Sequence, residues 1–141
     1  MGPAVIKLAQ DWSSTLWNAC PAEGPAGTIQ EFRLRNLEGW VKFLAAYAKA
    51  NGALTGFLTY FPDGFANKVK PGEFAYYVSP AHRRRGVGTA LLLSARQRFP
   101  MLDFRPSAQN YSAEGLLCYR AAQRVARTLA QKSFGLSPVA R

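Results

Sequence analysis

Between residues 10 and 19 apolar side chains recur at helical spacing. Trp12, Leu16 and Trp17 share one face and Asp11 stands where an N-cap belongs. Ahead of it, Ala4–Leu8 is a short apolar run that reads as a first strand. Pro21–Gly27 holds two prolines and two glycines and reads as a loop. Residues 28–42 are ambiguous: Thr28–Leu34 fits a strand, and 36–42 fits a turn or a helix start. Asn51-Gly52 is a strong hairpin signal. The arm after it, Ala53–Phe61, is rich in the Thr, Phe, Leu and Tyr that strands prefer. The arm before it, from Phe43, is alanine-rich and fits either a paired strand, which we favour, or a helix capped by Asn51-Gly52.

Pro62–Gly64 turns the chain, and a basic loop runs to Gly72. In Glu73–Ser79 both faces are largely apolar, which predicts a central strand. Gly86–Arg98 predicts a helix with Val87, Ala90, Leu91 and Ser94 on one face, ended by Phe99-Pro100. Met101–Arg105 predicts a short strand stopped by Pro106. Strand, helix and strand then make a βαβ unit with parallel strands. The last helix runs from Ser112 to about Lys132. Gly115, Cys118, Ala122, Val125 and Leu129 form its apolar stripe, and Arg120, Arg124 and Arg127 lie opposite. Tyr119 sits at the boundary, about 100° from the stripe centre.

A chain of 141 residues suits one domain, and 48% hydrophobic content suits a packed core rather than disorder. There is no apolar run of about eighteen residues and no signal-peptide pattern. The expectation is therefore a cytoplasmic protein without a membrane span. Cys20 and Cys118, with the single His82, make no metal set, and reduced thiols are expected. The net charge of +10 is uneven: residues 1–81 carry seven basic and six acidic groups, residues 82–141 eleven and two. Such a field attracts phosphorylated cofactors, nucleic acid or acidic surfaces.

Arg83-Arg84-Arg85-Gly86-Val87-Gly88 lies between the strand ending at Ser79 and the following helix. Free N–H groups at a helix start, glycines without Cβ and fork-shaped arginines together make an anion cradle. The stretch fits Arg/Gln-x-x-Gly-x-Gly/Ala. With its flanking strand and helix it resembles the GNAT superfamily of N-acetyltransferases, well over residues 72–120 and in outline before that. The resemblance implies a single α/β (α+β) domain over residues 1–141, with a mixed, mostly antiparallel central sheet and flanking helices. Arg120–Arg127 continues as helix where the family turns to Gly-Phe and a last strand, so that strand is expected to be missing, altered or supplied by a partner in a homodimer.

The resemblance also implies acetyl-CoA as acyl donor. Its pyrophosphate would lie on Arg83, Arg84, Arg85, Gly86, Val87 and Gly88, with the Thr89 hydroxyl adding a contact. Tyr77 and Val78 would pair with the pantetheine arm. Asn110 or Ser112 would fill the polar position before the last helix. Tyr119 matches the family's tyrosine that protonates the departing thiolate, and Gly115 is the small residue four positions earlier. Acyl transfer also needs a neutral amine, and Glu73, acting through a water, is the candidate base. The acceptor is an amine, on a small molecule or on an acidic carrier such as RNA or aminoacyl-tRNA. The alternative is a GNAT-fold module without catalysis that binds nucleic acid or regulates. The plainer readings are a surface role for His82, a core role for Cys118 and for Tyr119, a solvated strand end at Glu73, and a solvated face for Arg120, Arg124 and Arg127.

Overall fold

The computed structural model describes residues 12–35, 39–65, 69–109 and 111–136. The elements are α1 (Trp12–Ala19), β1 (Ile29–Arg35), β2 (Trp40–Tyr47), β3 (Leu54–Phe61), β4 (Glu73–Val78), a 3-10 turn (Pro80–His82), α2 (Val87–Arg98) and α3 (Ala113–Leu136). The expected strand at Ala4–Leu8, the Asp11 cap and Asn110 lie outside the described residues.

The four strands form one antiparallel sheet in the order β1-β2-β3-β4. Alternation sorts their side chains between two cores. Leu44, Ala46, Leu58 and Tyr60 face α2 and α3 and pack with Leu91, Leu92, Ala95, Phe99 and Ala122. Phe43, Ala45, Phe57 and Phe61 face α1 and pack with Leu16 and Cys20. β3 is buried along its whole length. The alanine-rich arm is thus a strand, with Ala46 on the face covered by α2 and Ala45 on the face covered by α1. Asn51-Gly52 lies within a longer connection, residues 48–53. There Gly52 takes φ +73°, and the Asn51 Oδ1 accepts the Ala53 N–H at 3.0 Å.

Four expectations need correction. β4 is the edge of the described sheet, not its centre. Its side chains are apolar on both faces because Phe74, Tyr76 and Val78 pack toward α2 and α3 while Ala75 and Tyr77 pack toward α1. α2 buries Gly88, Leu91, Leu92 and Ala95, the expected spacing set one residue later. The consecutive Leu91, Leu92 and Leu93 allow either phase, and docking on β2 and β3 selects one.

Residues 101–105 form no strand, so the parallel βαβ unit is absent among the described residues. Leu102 and Phe104 are buried as anchors, but side chains take the backbone acceptors a ladder would need. Gln109 Nε2 donates to the Asp103 carbonyl at 2.7 Å, and the Tyr111 hydroxyl donates to the Phe104 carbonyl at 2.7 Å. Finally, the apolar stripe of α3 is covered only in its first half. Val125 and Leu129 are 39% and 57% exposed. A helix of 24 residues is about 36 Å long, more than the strands beneath it can cover.

Candidate active site

β4 ends at Val78, and α2 begins nine residues on, at Val87. In the intervening turn Arg84 takes φ +61° and Gly86 φ +86°. The left-handed region costs a non-glycine residue about 1–2 kcal/mol, so the turn holds Arg84 in place at a cost. Gly86 is the N-cap of α2, and no side chain caps the helix. The first α2 bond runs from the Ala90 N–H to the Gly86 carbonyl at 2.9 Å. The N–H groups of residues 87–89 therefore have no helical acceptor and point out with the positive end of the helix dipole. A Cβ built on Gly86 would meet nothing within 4 Å, so the turn opens onto free space.

That space is a cleft of about 650 Å³ between β4, the turn and the first half of α3. Arg83, Arg84, Gly86, Gly88 and Thr89 line one wall, Tyr76, Tyr77 and Val78 the floor, and Ser112, Glu114, Gly115, Leu117, Cys118 and Ala121 the other wall. Arg85 is exposed and does not line it. Gly88 does so only in part. It is buried, and a Cβ there would stand 3.0 Å from the Cys118 Sγ, so its smallness serves the contact of α2 with α3.

The phase of the sheet decides which β4 backbone groups face the cleft. The Ser79 N–H donates to the Thr55 carbonyl at 2.9 Å. In an antiparallel ladder alternate residues then point inward, so Tyr77 and Ala75 bond to β3 while Phe74, Tyr76 and Val78 turn their N–H and C=O outward. At the far end the Phe74 N–H is taken by Gln109 Oε1 at 3.2 Å. At the near end the Val78 carbonyl accepts the Arg83 Nε–H at 2.9 Å, and the Arg83 guanidinium lies 5.4 Å from the centre of the Tyr77 ring. Between these two clamps, the Tyr76 N–H and C=O and the Val78 N–H are the open edge. Sequence reasoning named Tyr77 and Val78, and both line the cleft; the register turns the backbone groups of Tyr76 and Val78 to the open edge, and the Tyr77 ring packs between Trp17 and Phe57.

Of the two expected catalytic groups, neither lines the cleft. Tyr119 packs its ring against Tyr111, with centroids 5.3 Å apart, and against the helix-covered core. Glu73 begins β4, where its Oε1 accepts the Lys70 N–H at 3.1 Å, and it lines a separate hollow with Asp103 and Gln109. Five residues of strand put it about 16 Å from Val78. In that hollow the Arg105 guanidinium bonds to the Asp103 carboxylate and holds its pKa down to about 2.

Of the two tyrosines on the cleft floor, Tyr77 turns its ring to Trp17 and Phe57, and the one that reaches across to α3 is Tyr76. Its hydroxyl donates to the Gly115 carbonyl at 3.0 Å. Burial pushes its phenol well above the ordinary range, with the neighbouring Cys118 thiol, Tyr111 and Glu114 adding to the shift. Gly115 leaves room for that hydroxyl, since a Cβ there would lie 3.1 Å from it. Ser112 caps α3, its Oγ accepting the Gly115 N–H at 3.0 Å. Glu114 is the carboxylate on the cleft wall. Tyr76, Glu114, Cys118 and Gln109 were missed as site residues. The alternation of β4 places Tyr76 on the helix-covered face, but only the docked α3 shows which side chains share the cleft.

The thiols are separable by chemistry. Cys20 is buried, its Sγ–H donates to the Leu16 carbonyl at 3.5 Å, and burial pushes its pKa up to about 12. Cys118 is half-buried on the cleft wall. A thiol-alkylating reagent at neutral pH is expected to modify Cys118 alone in the native protein, and a ligand filling the cleft is expected to slow it. Mass-mapped labelling checks this; equal labelling of both thiols would contradict the burial of Cys20.

Strand, basic turn with left-handed residues, uncapped helix and open strand edge meet at one cleft of an α/β protein, a geometry that suits a phosphorylated, extended ligand. The sequence model of the Acetyltransferase (GNAT) family matches residues 6–107. The chain belongs to that family, whose members use acetyl-CoA as acyl donor. No curated protein and no solved structure matches the chain. The family match stops before α3, which forms one whole wall of the cleft. No helix among the described residues is long and apolar enough to cross a membrane.

Proposed function

We propose that the protein is an N-acetyltransferase that passes the acetyl group of acetyl-CoA directly to an amine. The observation that carries this reading is the convergence of the uncapped α2 N-terminus and the open β4 edge on one cleft. The N–H groups of 87–89, Arg84 and the Thr89 hydroxyl would hold the pyrophosphate. Arg83 can reach it on leaving Val78. The Tyr76 and Val78 backbone would fix the extended arm, and Ser112 shapes the wall. Acetyl-CoA supplies the acyl group already activated as a thioester. Tyr76 keeps a proton on its Oη and can release it to a departing sulfur, in place of Tyr119. Glu114, in place of Glu73, attracts the ammonium form of the acceptor and can accept its proton.

The test is release of free thiol from acetyl-CoA with a panel of amines: peptide N-termini, lysine side chains, polyamines and aminoacyl esters. Acceptor-dependent release with an N-acetylated product is expected. If acetyl-CoA binds and no amine speeds release above buffer, the protein is a binding module and the proposal fails.

A further inference from the structure

The sheet face that carries α2 and α3 continues beyond them onto β1 and the start of β2. Register puts Arg33 opposite Lys42, Arg35 opposite Trp40 and Glu31 opposite the core residue Leu44, so all share that face. Both arginines lie on the same indole: the guanidinium carbons of Arg33 and Arg35 are 4.4 and 5.1 Å from the Trp40 ring centre. Lys42 Nζ lies 5.7 Å from the centre of the Phe99 ring at the end of α2. Beside it, Arg98 Nη1 is 3.4 Å from Glu31 Oε1.

Among the described residues two acids adjoin this surface. Glu31 is held by Arg98, and Asp63 lies against Gly39. Arg33, Arg35 and Lys42 have no carboxylate within ion-pair distance among the described residues. Like charges directly across a ladder repel, and here the pair Arg33–Lys42 is kept without an intervening anion among the described residues.

We propose that this surface binds single-stranded nucleic acid. Contact with the Trp40 ring holds both guanidinium groups in place before any ligand arrives, so less freedom is lost on binding. Their forks suit phosphate oxygens, and their planes offer platforms on which bases stack. Lys42 and Arg98 extend the charge toward α2. An acidic polypeptide would satisfy the charge and leave the planar platforms unused, which favours the nucleic acid. The surface is independent of the proposed acetyl transfer: it lies at the far end of α2 from Gly86, and a helix of 12 residues spans about 18 Å.

The test is fluorescence anisotropy of the full chain with a labelled single-stranded oligonucleotide, over a range of salt. Binding that weakens with salt is expected. The double variant Arg33→Glu/Arg35→Glu should bind at least about tenfold more weakly. Loss of the two contacts should reduce the log–log salt slope by roughly 1.4. Its stabilisation by acetyl-CoA should be unchanged, which separates this surface from the cleft. Should charge reversal disturb folding, Arg33→Gln/Arg35→Gln removes the charge alone and should act in the same direction. Unchanged affinity and slope in a folded variant overturns the proposal. So does equally tight binding of duplex, or of polyglutamate, which would instead identify an acidic protein partner.

Discussion

Tyr76→Phe is expected to lower turnover by about 10²- to 10⁴-fold, the usual contribution of a positioned acid or base, while Tyr119→Phe leaves turnover nearly unchanged. The argument is positional. Tyr119 occupies the family's place in sequence, but its ring packs at a tilt against Tyr111 and it does not line the cleft. Tyr76 stands on the cleft floor, beside the open edge of its own backbone, with its hydroxyl turned to the α3 wall. The variant also takes from the Gly115 carbonyl the side-chain donor it has beside its helical N–H, a loss of about 1 kcal/mol. That is small against the roughly 5–15 kcal/mol by which domains are stable, so unfolding cannot account for a hundredfold fall in rate. Acetyl-CoA affinity should change little, because the proposed hold on the arm is through the Tyr76 backbone, which the variant keeps. Steady-state kinetics of the two variants decide the matter. The reverse order, with Tyr119→Phe crippled and Tyr76→Phe active, would return the acid to Tyr119.

The contrast between these two tyrosines shows where the sequence is informative. The cradle is local: strand, basic turn and helix follow one another within residues 73–98, and short-range rules place their backbone. The antiparallel pairs of β2, β3 and β4 are likewise sequential neighbours joined by short connections, so alternation and turn residues define them. The rest depends on contacts between distant segments. Whether β4 is central or an edge depends on residues 101–105, where Gln109 and Tyr111 take the carbonyls that a ladder would use. The phase of α2 depends on which of three consecutive leucines meets the sheet. The occupants of the cleft depend on the rotation of α3. Helical periodicity gave its buried stripe as far as Ala122, but assigning Tyr119 to the site needed the position of β4 relative to that helix.

Arg83 illustrates the same limit in one residue. The triple arginine reads as three phosphate ligands. In the fold, Arg83 turns back to the Val78 carbonyl and the Tyr77 ring, Arg85 lies outside the cleft, and Arg84 is left on the wall in a strained backbone state. Charge in the sequence gives the sign of the ligand, and backbone geometry decides which arginine meets it first.

Acetyl-CoA at a hundred times its dissociation constant should stabilise the native state by about 2.7 kcal/mol. For a domain of this length that is a rise of roughly 10 °C in Tm. Arg84→Gly should separate this gain from intrinsic stability. Glycine relieves a left-handed strain of about 1–2 kcal/mol and adds roughly 0.5–1 kcal/mol of unfolded-state entropy. The two nearly cancel, so the Tm of the free protein should stay within a few degrees of the original or rise slightly. The same change removes a charged hydrogen-bond donor from the cradle, worth about 1.5–3 kcal/mol to a phosphate, or roughly a tenfold to hundredfold loss of affinity. At the original ligand concentration the stabilisation should then shrink to about 0.4–1.4 kcal/mol. Differential scanning fluorimetry with and without acetyl-CoA reads both quantities. An undiminished ligand shift in the variant would remove Arg84 from the site. No shift in the parent protein would place the donor elsewhere, because every group assigned to its pyrophosphate lies within residues 83–89.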